Sequence, residues 1–511
     1  MSESTLPPAA PPAAGHKPFL GEGFVLALLL TGFLLVNLLT AARSPAVWQD
    51  EVMFADPAVN FHQGHGFVSG AWYAQSFDRR WAGNMPLYQF ILVGWLKLVG
   101  FSLTKVRSLH YVLVGLAVGA AWLALRRMRL VDSPAQRLAF CFIMCLASST
   151  TFVFRGARPE SLGMLLVMLV LLVATIPTRA WRLGWLFGLG ILLTGTGLQL
   201  AAYAGIMGGL LWLIGPPRFR AEIITLGAGC ATGMALVFFQ YSSLGVWKEF
   251  VASVQRHTLA NQHSQYDTIA EHVSFFAHPG GIFLPYKDYS FIPLFLLVVW
   301  LAWRQFQAGW LKWQSPLVFG LAVTLVVPVV MFAIGVFPIY YYWMSFIPMA
   351  LCLCAALSRL PPETAGRPLR FMALSAIGLA CLLGLPRRLA VAAGDWQARD
   401  YQPVMVMAAP YVNRNTVVYA DFAAYYAAKQ NGAIVVLPPC VARLSPEQKR
   451  QVTIAIIRPG NTNWLAGIFG GEWKASGAGW KPKTETGFLG LHEQLDSRAY
   501  NLMVWAREPS R

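Results

Sequence analysis

The sequence predicts a polytopic α-helical membrane protein with a small α/β domain at its C-terminal end. Of its 511 residues, 56% are hydrophobic and 12% are charged, whereas soluble domains carry roughly 25% charged residues. The apolar residues gather in about eleven runs with the composition of membrane spans. Arginines cluster in the short connections between these runs, a placement typical of cytoplasmic loops.

The predicted transmembrane domain covers residues 22–388 and follows a tail of residues 1–21, which we expect in the cytoplasm. The segment before the first run carries little charge, so we interpret that run as an uncleaved span rather than a signal peptide. The apolar runs lie at 22–42, 106–125, 136–154, 161–176, 183–201, 203–215, 222–241, 290–303, 315–336, 343–358 and 370–386.

A further apolar stretch at 86–100 decides the topology, because it either crosses the membrane or lies along the interface. The interfacial alternative gathers the arginine clusters of the short loops on one face, as the positive-inside rule favours. The long loops 43–105 and 242–289 and the C-terminal domain then share the extracytoplasmic face.

The balance of charge argues against a nucleic-acid-binding protein. The formal net charge is +17, with 40 basic and 23 acidic residues. Nucleic-acid binding requires basic residues on a common polar face. Many of the basic residues here lie instead between apolar runs.

The predicted C-terminal domain, residues 389–511, alternates short strands with short helices, as small α/β domains do. We expect a helix over 421–430 and strands over 416–420, 433–437, 452–457 and 501–505.

Acidic residues open the first long loop. Asp50 and Glu51 follow the first span directly, and Asp56 comes five residues after Glu51. They could form a solvated rim, serve as a general base toward a hydroxyl group, or hold a divalent cation such as Mg²⁺ or Mn²⁺.

A second polar cluster, Arg155 to Glu160, stands between the third and fourth runs. Arg155 and Arg158 are three residues apart, so a helical turn would align them as a fork for phosphate oxygens. The alternative is structural, with arginines at the interface and an acid at a helix N-terminus.

Two further segments hold candidate binding residues. The loop 242–289 carries His257 and Lys287 and could cover an anion at the membrane, although a plain solvated loop remains the alternative. It contains no tight pair of histidines, so it predicts no metal site. The aromatic run that includes Tyr342 is typical of an interfacial belt.

The order of three motifs resembles the bacterial branch of the GT-C superfold of glycosyltransferases. They are Asp50-Glu51, the Pro86-Leu87-Tyr88 element and Arg158-Pro159-Glu160. The sequence is similar to the family-39 protein-mannosyltransferase-like proteins and to the aminoarabinose transferases that modify lipid A. The resemblance is strongest over roughly residues 20–175. Beyond them it rests on the many-span layout, Tyr342 with Pro348, and the terminal domain.

This resemblance implies a sugar donor on a polyprenyl phosphate and a lipid, glycan or protein acceptor. It also implies a bacterial inner-membrane location and chemistry on the periplasmic or exterior face. Asp50 takes the position of the catalytic base, with Glu51 beside it. The resemblance places Arg158 on the donor phosphate, where Arg155 is a second candidate, and gives Glu160 the task of orienting the site. We expect inversion at the anomeric carbon.

One departure from relatives affects the phosphate site. Many relatives carry Pro-Pro-Leu, sometimes after a lysine, where this chain has Asn84-Met85-Pro86-Leu87. The role of that lysine passes to another cation, for which Arg79, Arg80 and Lys287 are candidates. Tyr88, Tyr342 and His257 are expected substrate contacts.

Three alternatives to this function remain. A secondary transporter would use polar residues at mid-membrane, for which Gln199 and Gln240 are candidates. An inactive membrane scaffold would keep the fold without the chemistry. An oligosaccharyl-transferring relative would carry a WWD-like motif in its terminal domain, which this sequence lacks.

Overall fold

The structure, a computed structural model, describes residues 20–263, 290–333, 341–360, 366–460, 463–480 and 500–508. Its first part is helical throughout. The helices, in chain order, are α1 Leu20–Thr40, α2 Gln49–His62, α3 Leu87–Val99, α4 Leu103–Met128, α5 Pro134–Leu146, α6 Ser148–Arg155, α7 Glu160–Val173, α8 Arg179–Thr196, α9 Leu198–Ile214, α10 Arg220–Ser243, α11 Trp247–His263, α12 Phe291–Gln307, α13 Pro316–Ala333, α14 Trp343–Ser358, α15 Arg367–Leu382 and α16 Leu385–Gly394.

Four helical segments among the described residues are long and apolar enough to cross a membrane: Gly21–Thr40, Leu103–Met128, Pro217–Ser243 and Arg367–Gly394. Helices α5 and α6 form a fifth if this pair, bent by 50°, counts as one broken span. Six further apolar helices have only 10–17 residues, fewer than the ~20 of a straight crossing. The chain is an integral membrane protein, but the expected number of about eleven spans is not confirmed.

Small residues let neighbouring helices of this domain approach closely. A Cβ on Gly190 of α8 would lie 2.4 Å from the carbonyl oxygen of Leu226 on α10. A Cβ on Gly229 would lie 2.1 Å from the carbonyl oxygen of Phe187. The two backbones therefore touch at positions where only glycine fits, as at many helix interfaces in membranes.

The C-terminal part forms the expected small α/β domain. Its helices are α17 Gln402–Ala408, α18 Tyr425–Lys429, α19 Pro438–Val441, α20 Pro446–Gln451 and α21 Asn463–Phe469, and its strands are β1 Val417–Ala420, β2 Ile434–Val436, β3 Val452–Ile457, β4 Trp473–Trp480 and β5 Leu502–Arg507. One sheet has the order β2-β1-β3-β5-β4, with β2, β1 and β3 parallel and the last two pairings antiparallel. The four expected strands are confirmed; β4 was not expected, because its Ala- and Gly-rich sequence lacks a strand pattern.

The first long loop packs directly on this sheet. The backbone N–H of Leu437 donates to the carbonyl oxygen of Gly70 at 2.8 Å, and a Cβ on Gly70 would lie 2.1 Å from the Val435 carbonyl oxygen. Position 70 therefore has no room for a side chain. The loop and the domain are therefore in direct contact, an arrangement that the interfacial alternative for residues 86–100 requires.

Buried polar groups join α2 to α18. Tyr425 donates to the Asp56 carboxylate at 2.8 Å, and Ser69 donates to it at 2.6 Å. The Lys429 ammonium donates to Asn60 Oδ1 at 2.5 Å and to the Ala433 carbonyl oxygen at 2.9 Å. Burial raises the pKa of Asp56 and lowers that of Lys429 from its ordinary 10.5 to about 8, although the two charges attract.

The depressed pKa of Lys429 predicts a pH-dependent stability. Between pH 8 and 10.5 the unfolded lysine keeps a proton that the folded one has lost, so the free energy of unfolding rises with pH. We expect Lys429 to contribute about 2 kcal/mol more at pH 9.5 than at pH 7.5. Thermal unfolding in nanodiscs at both values, for the wild type and Lys429→Met, measures this difference. The exposed Lys474→Met is the control, and parallel curves for wild type and Lys429→Met would contradict the assignment.

Candidate active site

A short connection sets the two acidic residues of α2 against the membrane domain. Helix α1 ends at Thr40 and α2 begins at Gln49, so Asp50 and Glu51 occupy the first turn of α2, where the helix dipole favours negative charge. Arg107 of α4 holds the connection by donating to the carbonyl oxygens of Ala41 at 2.5 Å and Pro45 at 2.8 Å.

Arg158 lies between two carboxylates. Its Nε and Nη2 donate to the two oxygens of Glu160 at 3.1 and 3.0 Å, and its Nη1 donates to Asp50. It also contacts the Tyr341 hydroxyl, and its guanidinium carbon lies 4.9 Å from the centre of the Phe54 ring. The two motifs predicted from sequence, Asp50-Glu51 and Arg158-Pro159-Glu160, therefore meet in space. Tyr341 joins them, although its neighbour Tyr342 was the expected tyrosine.

Glu51 has a different set of partners. The Nε and Nη2 atoms of Arg107 donate to its two oxygens at 2.7 and 2.6 Å. Tyr426 of the C-terminal domain donates to the same carboxylate at 3.1 Å. The side chains of Glu51 and Arg107 are both 0% exposed, so this pair is a fully buried ion pair.

Arg155 does not stand beside Arg158 as a fork. It is fully buried and donates to Asn37 Oδ1 at 2.7 Å, to Thr40 Oγ1 at 3.1 Å and to the Ser44 carbonyl oxygen at 2.5 Å. These contacts fasten the end of α1 to α6. The partners of Arg155 therefore differ from those of Arg158.

Tyr88 lies in a buried chain of hydrogen bonds behind the cluster. Its hydroxyl bonds to His110 Nε2 at 3.0 Å, and His110 Nδ1 bonds to Ser161 Oγ at 3.1 Å. This chain of hydrogen bonds connects α3, α4 and α7. The Tyr88 ring meets the Phe54 ring edge to face. Tyr88 is fully buried, so the structure gives it a supporting position beside the acids.

The other expected site residues lie elsewhere or outside the described residues. Arg79 is exposed and lies 3.9 Å from Glu249, and Arg80 is exposed on a bridge to Val68. Tyr342 is buried at the start of α14. Lys287 lies outside the described residues, as does the side chain of His257.

The three acidic side chains of the site are paired with arginines. Within the described ranges, no group of three or more His, Cys, Asp or Glu side chains could hold a common metal ion. Asp50, Glu51 and Glu160 each bind a guanidinium group instead. The Mg²⁺ or Mn²⁺ ion that the sequence offered as one possibility stays a sequence-based alternative.

The three carboxylates differ in their access to a substrate. The Asp50 side chain is 13% exposed, whereas those of Glu51 and Glu160 are 0% exposed. Asp50 alone of the three combines a fixed position with a partly exposed side chain, as a general base that meets an acceptor requires.

Sequence reasoning missed Arg107, His110 and Tyr426. Arg107 and His110 had a signal, because ionisable residues inside an apolar helix are costly and require a partner. Tyr426 had none, since 375 residues separate it from Glu51.

No protein-family model matches this sequence, and no curated protein matches it. Several solved structures match it. ArnT from Cupriavidus metallidurans bound to undecaprenyl phosphate matches with a TM-score of 0.53 at 15% identity, over 96% of this chain and 100% of that chain. The same protein in the apo state matches with a TM-score of 0.52 at 13% identity, over 96% and 99% of the two chains. The chain therefore has the fold of ArnT, in agreement with the fold that the resemblance to the GT-C superfold implies.

Proposed function

We propose that this protein is a glycosyltransferase that moves a sugar from a polyprenyl-phosphate donor to a hydroxyl group of an acceptor. The observation that carries the proposal is the Asp50–Arg158–Glu160 cluster, in which one accessible carboxylate is held by a buried arginine. The ArnT fold, seen with undecaprenyl phosphate bound in that protein, supports the class of donor.

The reaction needs one proton acceptor and one stabilised leaving group. The acceptor oxygen attacks the anomeric carbon, the bond from that carbon to the donor phosphate oxygen breaks, and the polyprenyl phosphate leaves with the bonding electrons. The proton of the acceptor hydroxyl passes to Asp50. A single displacement of this kind inverts the anomeric configuration.

In this proposal Arg158 contacts both the proton acceptor, Asp50, and the leaving phosphate. Its Nη1 donates to Asp50, so that the guanidinium group occupies the carboxylate that would receive the proton. A donor phosphate that takes over Nη1 would release Asp50 toward the acceptor, while Glu160 keeps the guanidinium fixed through Nε and Nη2. Donor binding would thus activate the base.

Glu51 and Arg155 take positioning roles in this proposal. Glu51 holds the first turn of α2 through Arg107 and Tyr426, and Arg155 holds the end of α1. Neither side chain has exposed surface to offer a substrate.

The proposed reaction takes place on the extracytoplasmic face of a bacterial inner membrane. Two observations support this side: the contact between the first loop and the C-terminal domain, and the arginine-rich short loops, which are typical of the cytoplasmic face.

The test uses the purified full chain in lipid nanodiscs. Hexosyl and pentosyl polyprenyl phosphates are supplied with an extract of envelope lipids and glycans, and release of free polyprenyl phosphate is measured. We expect acceptor-dependent release and a product with inverted anomeric configuration by NMR. No release across the donor panel would overturn the proposed function in favour of a transporter or scaffold. A retained configuration would overturn the single displacement.

A further inference from the structure

A cleft whose lining includes no residue of the Asp50 cluster lies where three parts of the chain meet. Its volume is about 630 Å³, within the range of roughly 300–1,000 Å³ that small-molecule sites occupy. One wall is the first loop at residues 74–79, the second is α11 at Lys248, Glu249 and Ala252, and the third is the C-terminal domain at residues 443–448. We call it the junction cleft.

The walls of the junction cleft are fixed to one another. Gln75 receives a hydrogen bond from the Ala82 backbone N–H at 3.0 Å, and its carbonyl oxygen accepts from Cys440 at 3.3 Å. Ser76 donates to Asp78 at 2.6 Å, and Gln448 also bonds to Asp78. The first loop is thus tied to the C-terminal domain, so the cleft is preformed.

The chemistry of the lining matches a hydroxyl-rich ligand. Each wall brings one cation and one acid to the cleft: Arg79 with Asp78, Lys248 with Glu249, and Arg443 with Glu447. A binding site for phosphate or another simple anion would be lined by cationic groups without the acids. Guanidinium, ammonium, carboxylate and amide groups together offer donors and acceptors in equal measure, which suits the many hydroxyls of a saccharide.

One hydrogen bond and one peptide bond connect α2, the helix that carries Asp50, to the junction cleft. Gln49, the residue before Asp50, donates to the Tyr73 hydroxyl at 3.0 Å. Ala74, next in the chain, lines the cleft and has φ of +58°. A non-glycine residue with positive φ is strained, and such strain is found where binding sites need an unusual backbone path.

We propose that the junction cleft binds the saccharide part of the acceptor, a polyhydroxylated headgroup carrying both donors and acceptors. The inference rests on the proposed glycosyltransferase function. It makes the C-terminal domain and α11 determinants of acceptor choice, while the Asp50 cluster carries the chemistry.

The test separates binding from turnover. Without donor, the full-length protein in nanodiscs is applied to an array of neutral, phosphorylated and amino-sugar-containing envelope oligosaccharides. The Lys248→Ala/Arg443→Ala variant removes one cation from each of two walls, and Ala252→Trp fills the cleft without changing its charge. The Lys474→Ala/Arg458→Ala variant removes the same number of cations from the C-terminal domain outside the cleft.

We expect both cleft variants to bind the array at least tenfold more weakly, and to raise the acceptor KM tenfold with kcat and donor KM unchanged. The control variant should stay within twofold of the wild type. Unchanged array binding and acceptor KM in both cleft variants would overturn the inference while leaving the proposed function intact. Cleft-dependent glycan binding without any release of polyprenyl phosphate would support the cleft and overturn the proposed function.

Discussion

Asp50→Asn is expected to lower kcat for sugar transfer by at least about 10²-fold, the smaller end of what a general base contributes. Asparagine has the shape of aspartate and its Oδ1 can still accept from Arg158, but the amide cannot take the proton of the acceptor hydroxyl. Initial rates of polyprenyl phosphate release at saturating donor and acceptor measure the effect.

Asp400→Asn is the matched control for this substitution. Asp400 also pairs with an arginine, Arg43, at 3.2 Å, and its side chain is likewise partly exposed, but it lies outside the Asp50 cluster. We expect kcat within twofold of the wild type for this variant. If Asp50→Asn instead behaves like Asp400→Asn, the base is another residue and the proposed role of Asp50 is wrong.

Arg107→Met is expected to cause the largest loss of stability. It leaves the Glu51 carboxylate buried without its guanidinium partner, and removing one partner of a buried ion pair costs about 3–5 kcal/mol. It also removes the donors to the Ala41 and Pro45 carbonyl oxygens. Unfolding in nanodiscs, followed by tryptophan fluorescence, gives the difference from the wild type.

A double variant and a control make this result specific. Arg107→Met/Glu51→Leu replaces the whole pair by apolar groups, which should recover part of the lost stability. Arg182→Met breaks the Arg182–Glu222 pair, whose side chains are 21% and 16% exposed, and should cost about 1 kcal/mol or less. A loss for Arg107→Met no larger than for Arg182→Met would contradict the prediction. A folded double variant that keeps the wild-type kcat would confirm that Glu51 positions α2. A folded double variant without activity would indicate that Glu51 takes part in the reaction itself.

Local patterns predicted the parts of the site that lie close together in sequence. Asp50 next to Glu51, and Arg158 two residues before Glu160, are visible as motifs, and the GT-C resemblance brings them to one site. Residue type alone did not show which residue of each motif has which role. Arg155 and Arg158 look equivalent in the sequence, but only the structure shows that Arg155 is used at the end of α1 and Arg158 between two acids.

The remaining differences come from tertiary packing. The partners of Glu51 are 56 and 375 residues away, so neither periodicity nor spacing could indicate them. The expected number of about eleven spans is not confirmed, because hydropathy measures how apolar a run is, whereas the length of each helix is set by the glycines, prolines and bends that end it. Helices α5 and α6, which the sequence joins in one run, meet at a bend of 50°.

The hydrogen bonds between α2 and α18 also impose an order of assembly during synthesis. Arg107 follows Glu51 by 56 residues, so this pair can form early. The Tyr425 partner of Asp56 follows it by 369 residues, which a ribosome working at about 5–20 residues per second reaches roughly 20 to 75 seconds later. During that interval Glu51 of α2 is already paired with Arg107. Asp56 of the same helix lacks Tyr425 and needs water in its place. The Asp50 helix therefore acquires its final surroundings only after the rest of the membrane domain has been inserted, and a ribosome that stalls before Tyr425 leaves an inserted protein without a finished site.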